Sequence, residues 1–381
     1  MKVKKSILNN SDEHSRVDLE IQIDDKVYNI YFQSSKGTVL SKSVESSLIC
    51  SMLPCMQRGG CSLVLEGEIS QQFVSSLSTI QDIYTTWDTS LERMQIENVK
   101  EVSKEKLTSA RTGAFFSGGL DSFYTLVKHQ DEITDLILVH GLDIKLENTV
   151  LREVVSKKIH DIAESFGKNV IEIETNVRDI LDPYVAWGPL GHGLALAAVG
   201  HQLSSTLKRV YIASSDTYTE LIPWGTHPLL DPLWSTESLE FVHDGCEAGR
   251  VKKTKLIKQY PIALQTLRVC WRNPDSVYNC GRCEKCIRTM VNLKVNHVLQ
   301  ECSTFDAELD IKYISKKMFR EQWDIVSLSW RDNIEALENN QDDEFNKKLL
   351  KLLKTPSWKL KIKQRFYKLE RKITRVFKKL L

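Results

Sequence analysis

Two groups of residues in this sequence have the types and spacing that chemistry requires. The first is the string Ser117-Gly-Gly-Leu-Asp-Ser122, which follows the apolar run 114 to 116. The second is a set of four cysteines spaced C-x9-C-x2-C-x2-C, at Cys270, Cys280, Cys283 and Cys286. We expect the string to bind an anion and the cysteines to bind a metal ion.

The string 117 to 122 predicts a phosphate site between a strand and a helix. Gly118 and Gly119 have no Cβ, so the backbone there can approach a ligand closely. Ser117, Ser122 and the N–H groups of a helix that starts near Leu120 would supply donors at the positive end of the helix dipole. The plainer alternative is a tight turn that binds nothing.

The four cysteines predict a closed tetrahedral metal site. Four thiolates suit a structural zinc ion and leave no open position for water, and an iron–sulfur cluster is the alternative with the same ligands. Because the sequence shows no secretion signal, the clustering favours a metal over disulfides. Cys50, Cys55 and Cys61 are spaced too loosely for such a site, and we expect three small buried residues there.

Alternating strands and helices must position the loop at 117 to 122. The sequence predicts strands over 113–116, 136–140, 169–174 and 209–214, and helices over 122–129, 150–166 and 192–203. This order is typical of an α/β fold with a parallel sheet, right-handed crossovers and helices on both faces. Since ligands bind at the carboxyl ends of such strands, the loop after Phe116 would border a crevice with the strand ends near 140 to 143, 175 and 214 to 217.

A long excursion over 214 to 247 is dense in Trp, His, Pro and acidic residues, as lids and substrate pockets often are. The glycine-rich turn before the predicted helix at 192 is a second candidate substrate site. The candidate substrate contacts are His192, Asp216, Trp224 and His227, followed by Asp231, Trp234 and Glu237. Each of them could instead serve packing alone. After the excursion, Lys255 is a candidate to bind a pyrophosphate leaving group, as are Arg250 and Lys253; a solvated helix face is the alternative.

The glycine-rich string and the cysteine cluster together resemble the motifs of a known enzyme superfamily. The SGGLDS string, then Leu267-x-x-Cys270, then Cys280-Gly-x-Cys283-x-x-Cys286-x-Arg288 resembles the N-type ATP pyrophosphatases, and among them the 7-cyano-7-deazaguanine synthase family. The resemblance covers about residues 108 to 300 and implies a Rossmann-like fold of the adenine nucleotide alpha hydrolase type.

The resemblance also implies an activity and a set of ligands. Ser117, Gly118, Gly119, Leu120, Asp121 and Ser122 would bind ATP phosphates with Mg²⁺, and the four cysteines would hold Zn²⁺. The reaction would adenylate a small-molecule carboxylate, release pyrophosphate and let ammonia or an amine displace AMP. Ser117, Asp121, Ser122 and Lys255 are the expected catalytic residues.

The chain also departs from the compact synthases. We divide it into an α+β module at 1–104, the ATP pyrophosphatase domain at 105–302 and a helical extension at 303–381. The module contains a hairpin over 16–33, a strand at 62–65 and a helix over 70–84. We therefore expect a divergent paralogue with a different acceptor. Amidotransferases of the asparagine synthetase kind have a cysteine directly after Met1, and it is the nucleophile of a built-in glutaminase domain. This chain has Lys2 at that position, so the nitrogen donor would be free ammonia or an amine, or would come from a partner.

Two other functions stay open. One is a sulfur-transfer enzyme of the same superfamily, which would need a catalytic cysteine outside the cluster, with Cys246 placed best and Cys302 next. The other is a nucleotide-binding interaction module without turnover.

Charge is distributed unevenly along the chain. Residues 355 to 381 carry ten Lys or Arg against Glu370 alone, a net +9 that leaves the remainder at −7. The acidic remainder is a poor fit to a dedicated nucleic-acid surface. The tail predicts a basic amphipathic helix that could contact a membrane surface peripherally or pack on the body or a partner. Because no segment is long and apolar enough to span a membrane, we expect a cytoplasmic protein, with any membrane contact at the inner surface. The sequence leaves open whether the protein forms a homodimer.

Overall fold

A computed structural model describes residues 1–106, 111–306, 308–321, 328–340, 343–356 and 359. The chain forms two compact units, Met1–Glu247 and Ala248–Leu381. This division differs from the boundaries expected at 104 and 302. The reason lies in the first unit, where strands of the N-terminal segment and of the α/β segment share one sheet.

The described part of the first unit contains ten strands and six α-helices. The strands are β1 Lys2–Asn10, β2 Ser15–Ile23, β3 Lys26–Ser34, β4 Ser62–Ser70, β5 Gln95–Val102, β6 Thr112–Phe115, β7 Asp135–His140, β8 Asn169–Thr175, β9 Arg209–Ala213 and β10 Glu240–Asp244. The helices are α1 Val44–Gln57, α2 Gln71–Trp87, α3 Leu120–Lys128, α4 Thr149–Phe166, α5 Arg178–Leu181 and α6 His192–Gln202. The strands and helices predicted between 113 and 214 are confirmed to within two residues at each end.

The sheet is mostly parallel, in the order β10-β9-β6-β7-β8-β3-β2-β1-β4-β5. From β6 the chain steps outward through β7 to β8, and then returns to β9 on the other side of β6. Because parallel crossovers are right-handed as a rule, the reversal of direction predicts α6 on the face opposite α3 and α4. The fold class is therefore α/β with helices flanking the sheet, compatible with a Rossmann-like fold. The strand order reverses between β6 and β9.

The N-terminal strands extend this sheet. β3 pairs antiparallel with β8, with Phe32 opposite Thr175, and the hairpin of β2 and β3 is confirmed with its turn at Asp24. Helix α1 packs against α6, where the Ser46 hydroxyl donates to the Ala198 carbonyl at 3.0 Å. The N-terminal segment thus belongs to the core of the first unit.

The cysteines of the N-terminal segment differ partly from expectation. Cys50 is fully buried in α1, as predicted. Cys55 is buried as predicted and Cys61 is half-buried, and the two are joined by a disulfide that was not predicted. They are six positions apart in the sequence, and the chain reverses direction between α1 and β4, which brings the two sulfurs together.

The second unit is helical where it is described. Its helices are α7 Arg250–Ile257, α8 Pro261–Thr266, α9 Glu284–Val295, α10 Ile311–Glu321, α11 Leu328–Glu338 and α12 Glu344–Leu353. Apolar residues of α9 to α12, with the buried Trp330 among them, form its core. Of the predicted basic helix at 355–381, only Thr355, Pro356 and Lys359 are among the described residues. Among the described helices, none is both long and apolar enough to cross a membrane.

Candidate functional site

The loop that follows β6 has a backbone that only certain residues can adopt. The Phe116 N–H still donates to the Ile137 carbonyl at 2.8 Å, so the strand pairing continues to the edge of the loop. Ser117 is exposed, and Gly118 has a φ of +74°, in the left-handed region that favours glycine. Gly119 is the residue before α3. The sequence thus places its first glycine where the backbone requires one.

Helix α3 starts at the loop with its N–H groups available to a ligand. No side chain caps its first turn at Gly119, and the first N–H groups of any helix lack intrahelical acceptors. The Ser122 hydroxyl donates to the Gly119 carbonyl at 3.0 Å, which fixes the turn. Phe116 and Phe123 pack edge to face with their ring centroids 5.0 Å apart, holding the helix against the strand end. The arrangement can accept an anion at the positive end of the helix dipole.

Asp244, at the end of β10, anchors the other end of α3. Its carboxylate accepts hydrogen bonds from Thr125 at 2.8 Å and Lys128 at 2.8 Å, and lies 2.9 Å from Nε2 of His129. Burial raises the pKa of Asp244, but these partners outweigh burial and hold the pKa below its usual range. Lys128 also bonds Glu247 at 2.6 Å. Its charge is therefore balanced within the protein.

The turn after β9 lies beside the loop after β6, because β9 pairs with β6 through Tyr211 and Ala114. The Ser214 N–H donates to the Asp244 carbonyl at 2.7 Å. The Ser214 hydroxyl donates to the Asp216 carbonyl at 2.8 Å. Asp216 is half-buried in this turn. Of the four candidate substrate residues, Asp216 is the one that lies in the turn directly after a strand next to β6.

His192 and Trp224 take part in packing of the excursion against α6. A Cβ on Gly193 would lie 1.7 Å from the Gly225 carbonyl oxygen, and one on Gly188 would lie 2.7 Å from the Trp224 ring. The glycines around His192 are thus needed for close contact between two backbone segments. Burial lowers the pKa of His192, whose Nε2 lies 3.3 Å from the Thr226 hydroxyl.

The other excursion residues also have structural partners. The His227 ring packs on Trp87 with centroids 5.2 Å apart, and its Nδ1 accepts from the Leu229 N–H at 3.1 Å. Trp234 is fully buried in the core. Glu237 accepts from the Ser70 hydroxyl at 2.6 Å at the start of α2. Their role as substrate contacts stays a prediction.

Sequence reasoning missed a buried histidine–carboxylate pair. His243 Nδ1 lies 2.7 Å from Asp231 Oδ2, and neither side chain is more than 2% exposed. Burial lowers the pKa of His243, but Asp231 and the nearby Cys246 thiol outweigh burial and raise the pKa to about 9. The spacing of positions 231 and 243 carries no signal for this pair in the sequence. It was overlooked because β10 was not predicted inside the excursion.

Lys255 lies on α7 in the second unit. Its side chain is exposed, whereas Lys253 on the same helix is buried. The assignment of Lys255 to a pyrophosphate leaving group stays a prediction.

The four predicted metal ligands come together in the second unit. The sulfurs of Cys270, Cys280, Cys283 and Cys286 all lie within 4.8 Å of one another, and those of Cys280 and Cys286 are 3.8 Å apart. Four sulfurs bonded tetrahedrally to one zinc at about 2.3 Å would be about 3.8 Å apart. The donor set and its spacing therefore fit a metal ion such as zinc.

Backbone groups shape the ligand turn. Gly281 has a φ of +61°, which lets the chain turn sharply after Cys280. The Cys283 N–H points to the Cys280 sulfur at 3.2 Å, and the Cys286 N–H to the Cys283 sulfur at 3.4 Å. Cys283 is also the N-cap of α9. The candidate metal ligands thus include the residue that caps the start of a core helix.

Asn279 supports the distant ligand Cys270, and the sequence analysis did not single it out. Its side-chain oxygen accepts from the N–H groups of Val269 at 2.9 Å and Cys270 at 3.2 Å. Its amide nitrogen donates to the Leu267 carbonyl at 2.8 Å. The side chain therefore ties the Cys270 segment to the turn that begins at Cys280. Asn279 directly precedes Cys280, and this position was the signal that the sequence offered for its role.

When the chain is compared with models of protein families, with curated proteins and with solved structures, no match is found.

Proposed function

We propose that this chain is an ATP-dependent ligase of the N-type ATP pyrophosphatase superfamily. It would adenylate a small-molecule carboxylate, release pyrophosphate and pass the acyl group to ammonia or an amine. The observation that carries the proposal is the position of the SGGLDS loop at the carboxyl end of β6, where the strand order reverses. In open α/β sheets, ligands bind at that position. The resemblance of the motifs extends the proposal to a divergent relative of the 7-cyano-7-deazaguanine synthases with an adenine nucleotide alpha hydrolase-like fold.

In this proposal the loop binds the phosphates of ATP. Gly118 and Gly119 allow close approach, while Ser117 and the first N–H groups of α3 donate hydrogen bonds. Asp121, in the first turn of α3, offers the carboxylate oxygens that Mg²⁺ prefers. Catalysis would come from positioning and from fixed donors that stabilise charge on the departing pyrophosphate.

Zinc would have a structural role. The four thiols complete a tetrahedral shell, so a bound zinc ion would have no open position for a substrate or water. Zinc is preferred to an iron–sulfur cluster because one pair of sulfurs already has the separation expected around a single ion.

The acceptor is proposed to differ from that of the synthases. The excursion that follows β9 is packed on α6 and carries Asp216 in the turn next to β6. Peripheral membrane contact through 355–381 and a homodimer stay predictions.

The test is product analysis with the full chain, ATP, Mg²⁺ and a panel of carboxylates with ammonia. We expect AMP and pyrophosphate. Asp121→Asn should lower kcat/KM about 100-fold, as loss of one electrostatic contact at a reacting centre does. Ser75→Ala, an exposed serine on α2, is the control and should match the wild type. ADP and phosphate as products would refute the assignment, and ATP binding without turnover would favour the interaction module.

A second candidate is sulfur transfer, favoured by the position of Cys246 just after β10, where its thiol donates to the Ser214 hydroxyl at 3.2 Å at the end of β9. This enzyme would form AMP and pyrophosphate too, but would need a sulfur donor. Replacing ammonia with sulfide in the same assay separates the two, because a thiolated product would form only in the second case.

A further inference from the structure

One edge of β3 is only partly covered in the sheet. β2 pairs with β3 along the whole of β3. On the opposite edge, β8 pairs with β3 over residues 32 to 34. Among the described residues, no strand pairs with that edge over 26 to 31. Because β3 and β8 are antiparallel, the first half of β3 presents an open edge beyond the carboxyl end of β8.

The side chain of Asn176, which directly follows β8, indicates what this edge can bind. Its Oδ1 accepts from the Tyr31 N–H at 2.9 Å, and its Nδ2 donates to the Asn29 carbonyl at 2.9 Å. One amide group thus satisfies a donor and an acceptor of the edge, in the manner of a peptide unit in a neighbouring strand. The edge is therefore suited to further amide groups.

Further main-chain donors and acceptors follow along the same edge. In an antiparallel pair, the N–H and C=O of one residue point to the same side of the strand, and the side alternates from residue to residue. The register of β2 and β3 is uninterrupted, so Val27 and Asn29 direct their main-chain groups to the same side as Tyr31. The Asn29 N–H and both main-chain groups of Val27 therefore face the uncovered edge.

A groove of about 590 Å³ runs between this edge and helix α5. Residues 26 to 30 form one wall, and the other consists of Arg178, Asp179, Asp182 and Pro183. Arg178 is held in place by its ion pair with Asp182 at 2.9 Å, and its guanidinium lies 4.3 Å from the centroid of the Trp187 ring. The volume is in the range of sites that hold a ligand of drug size, which a short peptide also has.

The charge and the size of the groove favour one short chain as its occupant. Lys26 and Arg178 give the lining two positive charges, and the two aspartates of the α5 wall cancel them. A balanced lining suits an uncharged main chain better than a phosphate or another ion. A second copy of this chain would have to bury about 800 Å² on each side, which a short open edge facing α5 does not offer.

We propose that this groove binds an extended peptide segment of a protein partner, which adds to the open edge of β3 as a further strand. Main-chain hydrogen bonds to Val27 and Asn29 supply the affinity, as in other cases of strand addition. The inference goes beyond the proposed function, because the nucleotide loop follows β6, which is three places from β3 in the sheet. Its test therefore needs no ATP.

The first test selects peptides from a random library of linear twelve-residue peptides displayed on phage, with the full chain as the target. Selected peptides are synthesised, and their binding is measured by fluorescence anisotropy. Val27→Pro removes one N–H from the open edge and keeps the pairing with β2, so we expect it to weaken binding about tenfold. Val27→Thr keeps the N–H and is the matched control, which should bind as the wild type does. Equal affinity in the two variants, or a library without binders, would overturn the proposal.

The second test uses the wild-type chain, so it does not depend on the folding of a variant. Each N–H of a selected peptide is replaced in turn by an N-methyl group. Because an added strand points alternate N–H groups at β3, we expect affinity to fall about tenfold at every second position and to change little between them. A loss of affinity without this period of two would show that side chains alone bind the peptide, and would refute strand addition.

Sedimentation of the full chain without peptide distinguishes a partner peptide from a second copy. We expect the wild type, Val27→Pro and Val27→Thr to have the same mass in solution, since the edge is reserved for the peptide. A dimer that Val27→Pro alone dissociates would assign the edge to a second copy of this chain and overturn the peptide proposal. Circular dichroism of both variants checks that the fold is retained.

Discussion

At the scale of single residues, Gly118 decides whether the loop can present its donors. Its φ of +74° turns the chain so that Gly119 precedes α3 with no side-chain cap. A side chain at such a φ strains the backbone whatever space is available. The glycine requirement and the proposed anion site therefore depend on the same residue.

Gly118→Ala should weaken ATP binding. The left-handed conformation of an alanine costs about 1–2 kcal/mol, and we expect the loop to relax to another conformation that no longer aligns its N–H groups. Gly37→Ala is the matched control, since Gly37 has a φ of +84° and no atom near its would-be Cβ. It should lose similar stability in urea unfolding but keep ATP affinity in calorimetry. Equal affinity in both variants would contradict the role of Gly118.

Glu172 should make stability depend on pH below neutrality. Burial raises its pKa, but hydrogen bonds with His140, Ser156 and His160 outweigh burial and lower the pKa from 4.5 to about 2. Because the pKa is depressed in the folded state, the stabilisation is present above pH 4.5 and is lost as pH falls towards 2. Glu172→Gln should therefore cost about 1–3 kcal/mol at pH 7 and much less near pH 2.

Urea unfolding at several pH values measures this difference. Glu153→Gln, an exposed carboxylate on α4, is the control and should run parallel to the wild type. If the curves of wild type and Glu172→Gln also run parallel from pH 7 to pH 3, the contacts of Glu172 do not stabilise the fold.

At the scale of elements, the metal ligands and helix α9 depend on one another. Cys283 is both a candidate metal ligand and the N-cap of α9, and Asn279 ties the Cys270 segment to the same turn. Loss of the ion would therefore remove the constraint on the start of a helix that packs in the core of the second unit.

Asn279→Ala should keep the metal site but weaken it. Residues that orient metal ligands typically contribute 10–100-fold to affinity, so we expect about that loss of zinc affinity in competition with a chelator. Val277→Ala, an exposed residue between Cys270 and Cys280, should bind zinc as the wild type does. Cys280→Ser should purify without stoichiometric zinc by elemental analysis. Full zinc content in Cys280→Ser would exclude the four-cysteine site.

Helices and strands whose apolar residues recur at a regular spacing were predicted from the sequence, and the others were not. β7 and α4 follow regular patterns because they pack in a regular α/β layer. Helix α1 was missed because it is buried on all sides and has no polar stripe to mark its period. β10 was missed because it is short and lies among loop-forming residues. The metal ligands could be predicted from spacing alone, whereas the pair of Asp231 and His243 depends on how a long excursion folds back.

At the scale of the whole molecule, the candidate sites are divided between the two units. The proposed nucleotide loop and the pair of Asp231 and His243 belong to Met1–Glu247, whereas the four-cysteine site belongs to Ala248–Leu381. Each unit has a hydrophobic core of its own.

Removal of zinc should therefore act on the second unit. We expect hydrogen exchange to increase in α9 and in the helices that share its core, because the start of α9 loses its anchor. Exchange in β6, β7 and β9 should change little. The measurement is exchange by mass spectrometry before and after chelation, with zinc re-addition as the control. Equal deprotection of both units would contradict a local role for the ion.

The pairing of β3 with β8 has a consequence for synthesis of the protein. Phe32 pairs with Thr175, so the hairpin at the start of the chain leaves the ribosome long before its partner strand. Until then, β3 is an open edge strand that carries apolar residues such as Ile30. Because such distant pairings form slowly, the growing chain should depend on chaperones during translation of residues 35 to 175, more than during the steps that follow.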